Sequence, residues 1–491
     1  MDIQNLIGEF LASSSPRLFD AEAKPIPADE LRREYGAIKG FLLNDRRPGD
    51  IVAISLERGY RYVLCILACM DAGLTFLPLN PAWPGARVEQ IKELTGFSFL
   101  ISAANIDEVL RGREGAPRAP APAPTPAQAL YIICTSGTTG RPKGVVISRG
   151  AYASYLRWLT EEFSMVDESS RILLVSDFTF DLSLADIGLL LLKRCSLYCS
   201  QFAGNIFRLA GEIEALRING ILTVPHNASL LLHETVGRKA DLSSLRFFYV
   251  GGAQFTESLY RSIFKKFPRE VTIYNTYGPT ETTISTHLKR LTGIAKDEIR
   301  DGHVSIGKPS PGVACRLVDA AGAEITKPGA TGELLLGGAQ VMTGYINEPV
   351  KTRECLVELD GGVYYRSGDA AFLDENGEAY IVGRLDDTIK RRGYRVNLSD
   401  IDAYIQRLDV VRDSATIAFP DPDLDNILVS YVIVRRPISE KELRRELAGS
   451  LVEYQFPDHI EFVDRFPLND SGKVCRRTLA GRYKSRPARE A

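Results

Sequence analysis

The chain has 491 residues, with 60 Lys and Arg against 62 Asp and Glu, and a formal net charge of −2. That balance gives no electrostatic case for binding nucleic acid or an anionic membrane surface. At 45% hydrophobic and 25% charged residues the composition is that of a globular protein, long enough for two or more domains. Its eight Cys sit mostly in apolar runs, and the close pairs, Cys65/Cys69 and Cys195/Cys199, have helical i, i+4 spacing without a second pair or a His cluster. This argues against a zinc site and for reduced core thiols in a cytoplasmic protein.

The N-terminus, "MDIQNLIGEF", is acidic and lacks the basic start and apolar core of a signal peptide. "DIVAISL" reads as a buried strand and "YRYVLCILACMDAG" as the helix after it. The longest apolar stretch, "YVLCILACMDAGLTFLPL", is broken by Asp71 and closed by Pro78, so it reads as a buried helix rather than a membrane span. "FSFLISA" is a further strand, and "GREGAPRAPAPAPTPAQ" is an extended connector into the strand at Tyr131. "RILLVSD", "GILTVP", "LRFFYVGG" and "VTIYNTYG" are short apolar runs ending in polar or Gly-rich turns, and "LSLADIGLLLL" is a second buried helix, too short to span a bilayer. The alternation predicts an α/β fold with largely parallel sheets flanked by helices, in which ligands bind beyond the carboxyl ends of the strands. After "AYIVGRLDDTIKRRGYR" come short strands, "SATIAF" and "ILVSYVIV", and a charged helix, "SEKELRRELAGSLV", which read as a small α+β domain. The expected division is a large domain over 1–385 and a small one over 386–491. No 20–50-residue repeat is present, which excludes a solenoid.

The densest cluster of small polar residues is "YIICTSGTTGRPKGVVIS", Tyr131 to Ser148. Gly137, Gly140 and Gly144 let backbone approach an anion closely, Ser136, Thr138 and Thr139 offer hydroxyl donors, and Lys143 offers charge. It is not a Walker loop, because Lys143 follows Pro142 and precedes Gly144. By composition alone, a phosphate cradle and a mobile surface loop are equally open.

Order separates them. "TSGTTGRPKG" resembles, residue for residue, the phosphate-loop signature of the adenylate-forming enzymes, the superfamily of acyl-CoA synthetases, luciferases and nonribosomal peptide adenylation domains. "YNTYGPTETT", "GELLLGGAQVMTGY", "YRSGD", "GRLDDTIKRRGYRV" and "PLNDSGK" follow in the family's order and spread the resemblance over nearly the whole chain. It implies that an acid and ATP give an acyl-AMP and pyrophosphate, after which a thiol takes the acyl group. A carboxylate is a poor electrophile, so the protein must mainly position two anions and neutralise charge.

Carried over by motif, Thr135, Ser136, Gly137, Thr138, Thr139 and Lys143 would hold the β- and γ-phosphates of ATP. Thr280 would contact the α-phosphate and Glu281 would bind Mg2+. Asn275 and Tyr277 would meet the adenine, with Gly251 and Gly252 along its face. Asp369 would take the ribose hydroxyls, helped by Arg384. Lys473 would be the mobile catalytic lysine. Asp386 would be the hinge about which the small domain swings after adenylation, withdrawing Lys473 and bringing "KRRGYR" to the thiol tunnel.

The acid class rests on "DFTFDLSLADIG". It resembles the "FDxS" word of amino-acid-activating members, with Phe180 and Ser183 matching and Asp181 placed to pair with a substrate ammonium. An Asp opening a helix is also an ordinary N-cap, which would leave an acyl- or aryl-CoA ligase as the alternative. Asp186, one turn on, reads as structural. Aligned by motif, the pocket walls would be Asp181, Leu182, Ala185, Thr223, Tyr249, Gly251, Thr276, Ile284 and Ser285, closed by Lys473. No wall residue beyond Asp181 and Lys473 is charged, so a substrate with an uncharged, small or medium side chain is expected.

No carrier domain follows Lys473 in the sequence, so the expected acceptor is the phosphopantetheine thiol of a separate carrier protein, or else coenzyme A. Stand-alone adenylation enzymes and D-alanine–carrier protein ligases share this layout. The C-terminal basic residues, among them Arg476, Arg477, Arg482 and Lys484, are either a dock for an acidic carrier or a solvated tail. The sequence departs from the family pattern at Asn397 and Asp402, and at Asn469–Asp470 and Val474–Cys475 around Lys473.

Overall fold

The computed structural model describes the chain except residues 16, 113–123, 136–141, 203–204, 233, 238, 268–270, 296–297, 301, 386–387, 422–424, 468–473, 475 and 485–491. It forms two compact units: one of Met1–Ala82, Lys92–Cys134 and Gly144–Leu385, the other of Trp83–Ile91, Thr135–Lys143 and Asp386–Ala491.

The large unit is α/β. Its first sheet contains β1 (Ile51–Ser55), β2 (Thr75–Pro78), β3 (Phe99–Ser102), β4 (Ala129–Thr135) and β5 (Lys143–Ser148) in the order β5-β4-β2-β1-β3, with Gly344–Tyr345 antiparallel on the β5 edge. β1 runs parallel to both β2 and β3. Val52, Ala53 and Ile54 are buried in succession, as expected of a strand covered on both faces. Here one expectation is corrected. The apolar stretch after Tyr60 is not one helix: the helix Tyr60–Asp71 ends at Ala72–Gly73, and Thr75–Pro78 is β2. Gly73 takes the left-handed conformation (φ 69°) that lets the Leu74 N–H close onto the Cys69 carbonyl at 2.9 Å, the usual glycine stop of a helix.

The second sheet contains β6 (Arg171–Leu174), β7 (Ser196–Cys199), β8 (Gly220–Thr223), β9 (Phe247–Val250), β10 (Thr272–Tyr277) and β11 (His287–Leu291), in the order β11-β10-β9-β8-β6-β7. Strands β6 to β10 pair in parallel, and β11 is antiparallel to β10. From β6 the chain passes to β7 on one side and then to β8 on the other, so the strand order reverses at β6. Such a switch point is where open α/β sheets bind ligands. The helix Leu182–Lys193, buried from Leu182 through Leu191, lies against the helix Arg149–Glu162. Gly188 makes that approach possible, since a Cβ there would fall 2.7 Å from Leu156 Cδ2. An antiparallel sheet follows: Val313–Val318, Gly332–Gly338, Gly362–Leu373 and Leu356–Leu359, with Ala379–Arg384 also on the third of these.

The small unit is α+β. A hairpin, Thr388–Arg391 with Tyr394–Asn397, leads into the helix Leu398–Gln406. The long antiparallel pair Val411–Asp421 and Asp425–Val434 takes His459–Phe462 as a parallel third strand. The charged helix is Glu440–Leu447, shorter than its sequence word, and starts at a capping box of Ser439 and Glu442.

Of the described cysteines, Cys65, Cys69, Cys134, Cys195 and Cys199 are buried, as core thiols are, and Cys315 and Cys355 are half-buried. Burial pushes Cys65, Cys195 and Cys199 up to about 12, leaving them protonated and inert.

Candidate active site

The loop from β10 to β11 carries the "YGPTETTIS" word. Gly278 is required there, because a Cβ would stand 2.5 Å from Ser285 Cα and 2.7 Å from the Ile284 carbonyl. The chain then makes a short 3₁₀ turn, Thr280–Thr282. Glu281 is buried, accepts the Tyr345 hydroxyl on Oε1 at 2.7 Å, and accepts Met342 N–H on its carbonyl at 2.8 Å. Two β-branched residues follow in the left-handed region, Thr283 at φ 61° and Ile284 at φ 67°. The Ser285 N–H closes on the Thr283 carbonyl at 2.8 Å, a γ-turn of the rare positive-φ kind. Each such residue stores about 1–3 kcal/mol of strain, held by its surroundings.

Around this loop stand the predicted pocket residues. Tyr249, Ser285 and Tyr155 join their hydroxyls in a buried chain, 2.7 Å from Tyr249 to Ser285 and 3.3 Å from Tyr249 to Tyr155. Gly251, after β9, leaves room for Thr276, whose Oγ1 would lie 2.4 Å from a Cβ at that position. Leu182 and Ala185 are buried on their helix, and Ile284 is buried in its turn. Thr223 is not brought to this face. It pairs in register with Val250, which pairs with Asn275, whereas Tyr249 pairs with Tyr274 on the other face.

Asp181 is 3% exposed and opens the helix Leu182–Lys193. It sits in the N-cap position with a helical backbone (φ −62°, ψ −18°), and its side chain makes no capping hydrogen bond. The local turn is instead held by Asp177, which accepts Thr179 N–H at 2.9 Å and Thr179 Oγ1–H at 2.6 Å. The Asp181 carboxylate is thus not spent as a cap. It lies close enough to three buried phenols to act on them: burial pushes Tyr131, Tyr155 and Tyr249 upward, and the charge of Asp181 adds to each.

Among the residues expected to meet the nucleotide, Asp369 pairs in register with Arg384 across adjacent strands. Its Oδ1 accepts Arg384 Nη1–H at 3.0 Å and its Oδ2 accepts the Tyr277 hydroxyl at 2.5 Å. Arg384 also reaches the Ser367 carbonyl at 2.5 Å, and Gly368 (φ 67°) lets it do so, since a Cβ there would meet Arg384 Nη2 at 2.7 Å. Burial first, then Asp369, raises the Tyr277 phenol well above its usual range, so it stays a donor. Asn275 turns its amide N–H to the Ser305 carbonyl at 2.7 Å. Gly252, at φ 82°, follows Gly251 at the end of β9. Thr135 closes β4 and Lys143 opens β5. Ser136, Gly137, Thr138, Thr139, Asp386 and Lys473 lie outside the described residues.

The donor set fits Mg2+ arriving with phosphate. Magnesium is commonly held by one or two carboxylates completed by substrate phosphates and water. Glu281 offers one buried carboxylate, and no group of three His, Cys, Asp or Glu among the described residues would hold a metal by itself. Three residues here escaped the sequence reading. Tyr345 and Gln340 lie inside the quoted "GELLLGGAQVMTGY"; Tyr155 carried no signal.

In the small unit, Asp402 accepts Thr416 Oγ1–H at 2.6 Å and Arg476 Nη2–H at 2.8 Å. Of the C-terminal basic residues, Arg476 is therefore turned inward. Asn397 donates to Thr388 Oγ1 at 3.2 Å within its hairpin.

The arrangement of a large α/β unit and a small α+β unit is that of adenylate-forming enzymes. The amide bond synthetase McbA from Marinactinospora thermotolerans superposes with a TM-score of 0.84 at 20% identity, over 98% of this chain and 100% of that one, a likeness of fold. Residues 29–346 match the AMP-binding enzyme family and residues 400–473 the AMP-binding enzyme C-terminal domain, and the chain belongs to this family. It is 30% identical over 483 residues to the D-alanine–D-alanyl carrier protein ligase of Listeria innocua, covering 92% of each. It is likewise 30% identical over 459 residues to tyrocidine synthase 3 of Brevibacillus parabrevis, covering 88% of this chain and 7% of that synthase's length. No helix among the described residues is long and apolar enough to cross a membrane.

Proposed function

We propose that the chain activates an amino acid with an uncharged side chain as its aminoacyl-AMP and passes the aminoacyl group to the phosphopantetheine thiol of a carrier protein. The observation that carries this reading is Asp181: a buried carboxylate at a helix start that it does not cap, near enough to the Tyr249 phenol for its charge to act on it. An α-ammonium is a cation of the right size to pair with that carboxylate through charge-assisted hydrogen bonds. Apart from Lys473, the other predicted wall residues are uncharged, which supports an uncharged side chain.

In the first step a substrate carboxylate oxygen bonds to the α-phosphorus of ATP, and the bond from that phosphorus to the bridging oxygen breaks, releasing pyrophosphate. Asp181 orients the ammonium end, Asp369 and Arg384 the ribose, and Thr280 the α-phosphate. Mg2+, held by Glu281, would neutralise phosphate charge when bound. Lys473 would steady the carboxylate and the transferring phosphoryl group. In the second step the thiol sulfur bonds to the acyl carbon, losing its proton to solvent, and AMP leaves with the electron pair. Asp386 is the proposed pivot between the steps, separating a core over 1–385 from a lid over 386–491. The name of the Listeria relative supports a carrier-protein acceptor.

Amino-acid-dependent ATP–pyrophosphate exchange tests this, with single L-, D- and β-amino acids beside fatty and aryl acids. Exchange with one or a few amino acids, lost in Asp181→Ala, is expected. Exchange only with acids lacking an amino group would make the chain an acyl- or aryl-CoA ligase instead.

A further inference from the structure

Gln340 is 1% exposed and has no part in the chemistry above. It follows the strand Gly332–Gly338 and reaches into the strained turn after Glu281. Its Nε2 donates to the carbonyls of Thr282 (3.3 Å), Thr283 (3.4 Å) and Ser285 (2.8 Å). Its Oε1 accepts Ser310 Oγ–H at 3.3 Å, and its own carbonyl accepts Thr283 Oγ1–H at 2.6 Å. Three carbonyls converging on one end fix which end of the carboxamide is the nitrogen. The carbonyls it gathers flank the left-handed residues Thr283 and Ile284, and that of Thr283 also accepts the Ser285 N–H of the γ-turn. An unsupported turn of this kind would relax, because β-branched residues avoid positive φ.

The turn joins two halves of the site. Thr280 and Glu281 precede it, on the phosphate and magnesium side. Ile284 and Ser285 end it, on the side of Tyr249. We propose that Gln340 is a positioning residue that holds this turn left-handed, and so fixes the nucleotide and magnesium ligands relative to the amino-acid pocket. The inference rests on the adenylation reading of the site and extends it to a residue that touches neither substrate.

The test is exchange kinetics on Gln340→Ala, Gln340→Glu and the double variant Gln340→Ala/Thr283→Gly, normalised by titrating active sites. In Gln340→Ala, the amino-acid KM and the Mg2+ concentration for half-maximal rate should both rise about tenfold, the scale of one lost buried hydrogen bond of the stronger kind. Gln340→Glu, which keeps the size and loses the N–H donors, should do no better. Thr283→Gly should return part of the loss in the Gln340→Ala background, because glycine takes positive φ without a Cβ clash. A merely structural role predicts otherwise: a lower melting temperature and fewer active molecules, whose KM and magnesium dependence stay at wild-type values. That result, or no recovery from the glycine, overturns the proposal. Should the Gln340 variants fail to fold, Ser310→Ala removes the Oε1 partner alone. A rise of about twofold to threefold in the same two parameters supports the proposal, and unchanged values overturn it. Wild-type protein that exchanges with no acid would overturn the adenylation reading itself, and this inference with it.

Discussion

Tyr277 and Asp369 face each other across the candidate ribose site, the phenol donating to Oδ2 at 2.5 Å while Arg384 holds Oδ1 at 3.0 Å. The carboxylate is thereby fixed in plane with lone pairs left for further donors, as recognition of a diol requires. Removing the carboxylate and removing the phenol are therefore different experiments. Asp369→Ala should raise the KM for ATP by about a hundredfold, since it deletes charge-assisted bonds of roughly 1.5–3 kcal/mol each. Tyr277→Phe leaves Arg384 in place, and its effect should be about tenfold or less. Equal losses in the two variants would mean that the carboxylate does not read the ribose.

Tyr345 donates to Glu281 Oε1 at 2.7 Å and so orients the carboxylate assigned to magnesium. Tyr345→Phe should increase the Mg2+ needed for half-maximal exchange by about tenfold, the milder end of the range expected when a metal ligand loses the hydrogen-bond partner that orients it. The maximal rate at saturating Mg2+ should recover. A fall in that rate with no change in magnesium dependence would argue for a role in packing.

Asp186 is fully buried, and neither carboxyl oxygen has a hydrogen-bond partner among the described residues. Burial pushes its pKa well above the ordinary carboxylate value of 3.8, with Arg58 opposing. The folded state therefore binds the proton more tightly than the unfolded chain. The stability from this group is complete below about pH 4 and is lost as pH rises through the raised folded value. Asp186→Asn removes the titration. Its melting temperature relative to wild type should be higher at pH 8 than at pH 4, with the gap closing steadily between them. A difference that does not vary with pH would show that the carboxyl is ionised and paired in the fold.

Much of the large unit was legible because parallel strands buried on both faces write themselves as short apolar runs, such as Val52–Ile54 and Phe247–Val250. The error after Tyr60 came from a buried helix and a buried strand sharing one apolar composition; only the left-handed Gly73 marks the boundary. In the candidate site, motif order pointed to Glu281, Asp369 and Asp181, yet not to the residues that hold them. Whether Asp181 caps its helix depends on a backbone angle that an Asp before an apolar helix leaves open. Thr223 and Tyr249 lie in adjacent strands, and which sheet face each takes depends on register, which a four-residue strand does not encode alone. Tyr155 and Gln340 act through contacts 94 and 55 to 58 residues away in sequence, and no local pattern announces such partners.

Asp402 and Arg476 form the ion pair that ties the helix Arg476–Lys484 to the core of the small unit, at 2.8 Å, with Thr416 donating to the other carboxylate oxygen. Asp402 is nearly fully buried and Arg476 about one-third exposed, so solvent screens the pair from one side only. Truncating Arg476 leaves a buried carboxylate with only the neutral donors of Thr416, a loss of about 1–3 kcal/mol after that screening. Lys473 stands three residues before Arg476 in the sequence, so a change at Arg476 is expected to reach the adenylation step through that lysine rather than through amino-acid binding. Arg476→Ala should accordingly lower the maximal rate of pyrophosphate exchange about tenfold, with the amino-acid KM within about twofold of wild type. Asp402→Asn, which keeps an acceptor for Thr416 and removes the buried charge, should lose less. Limited proteolysis followed by mass spectrometry should cut the Arg476→Ala protein near residue 476 sooner than wild type. An unchanged maximal rate despite faster cleavage would separate the helix from the lysine and remove Arg476 from the adenylation step.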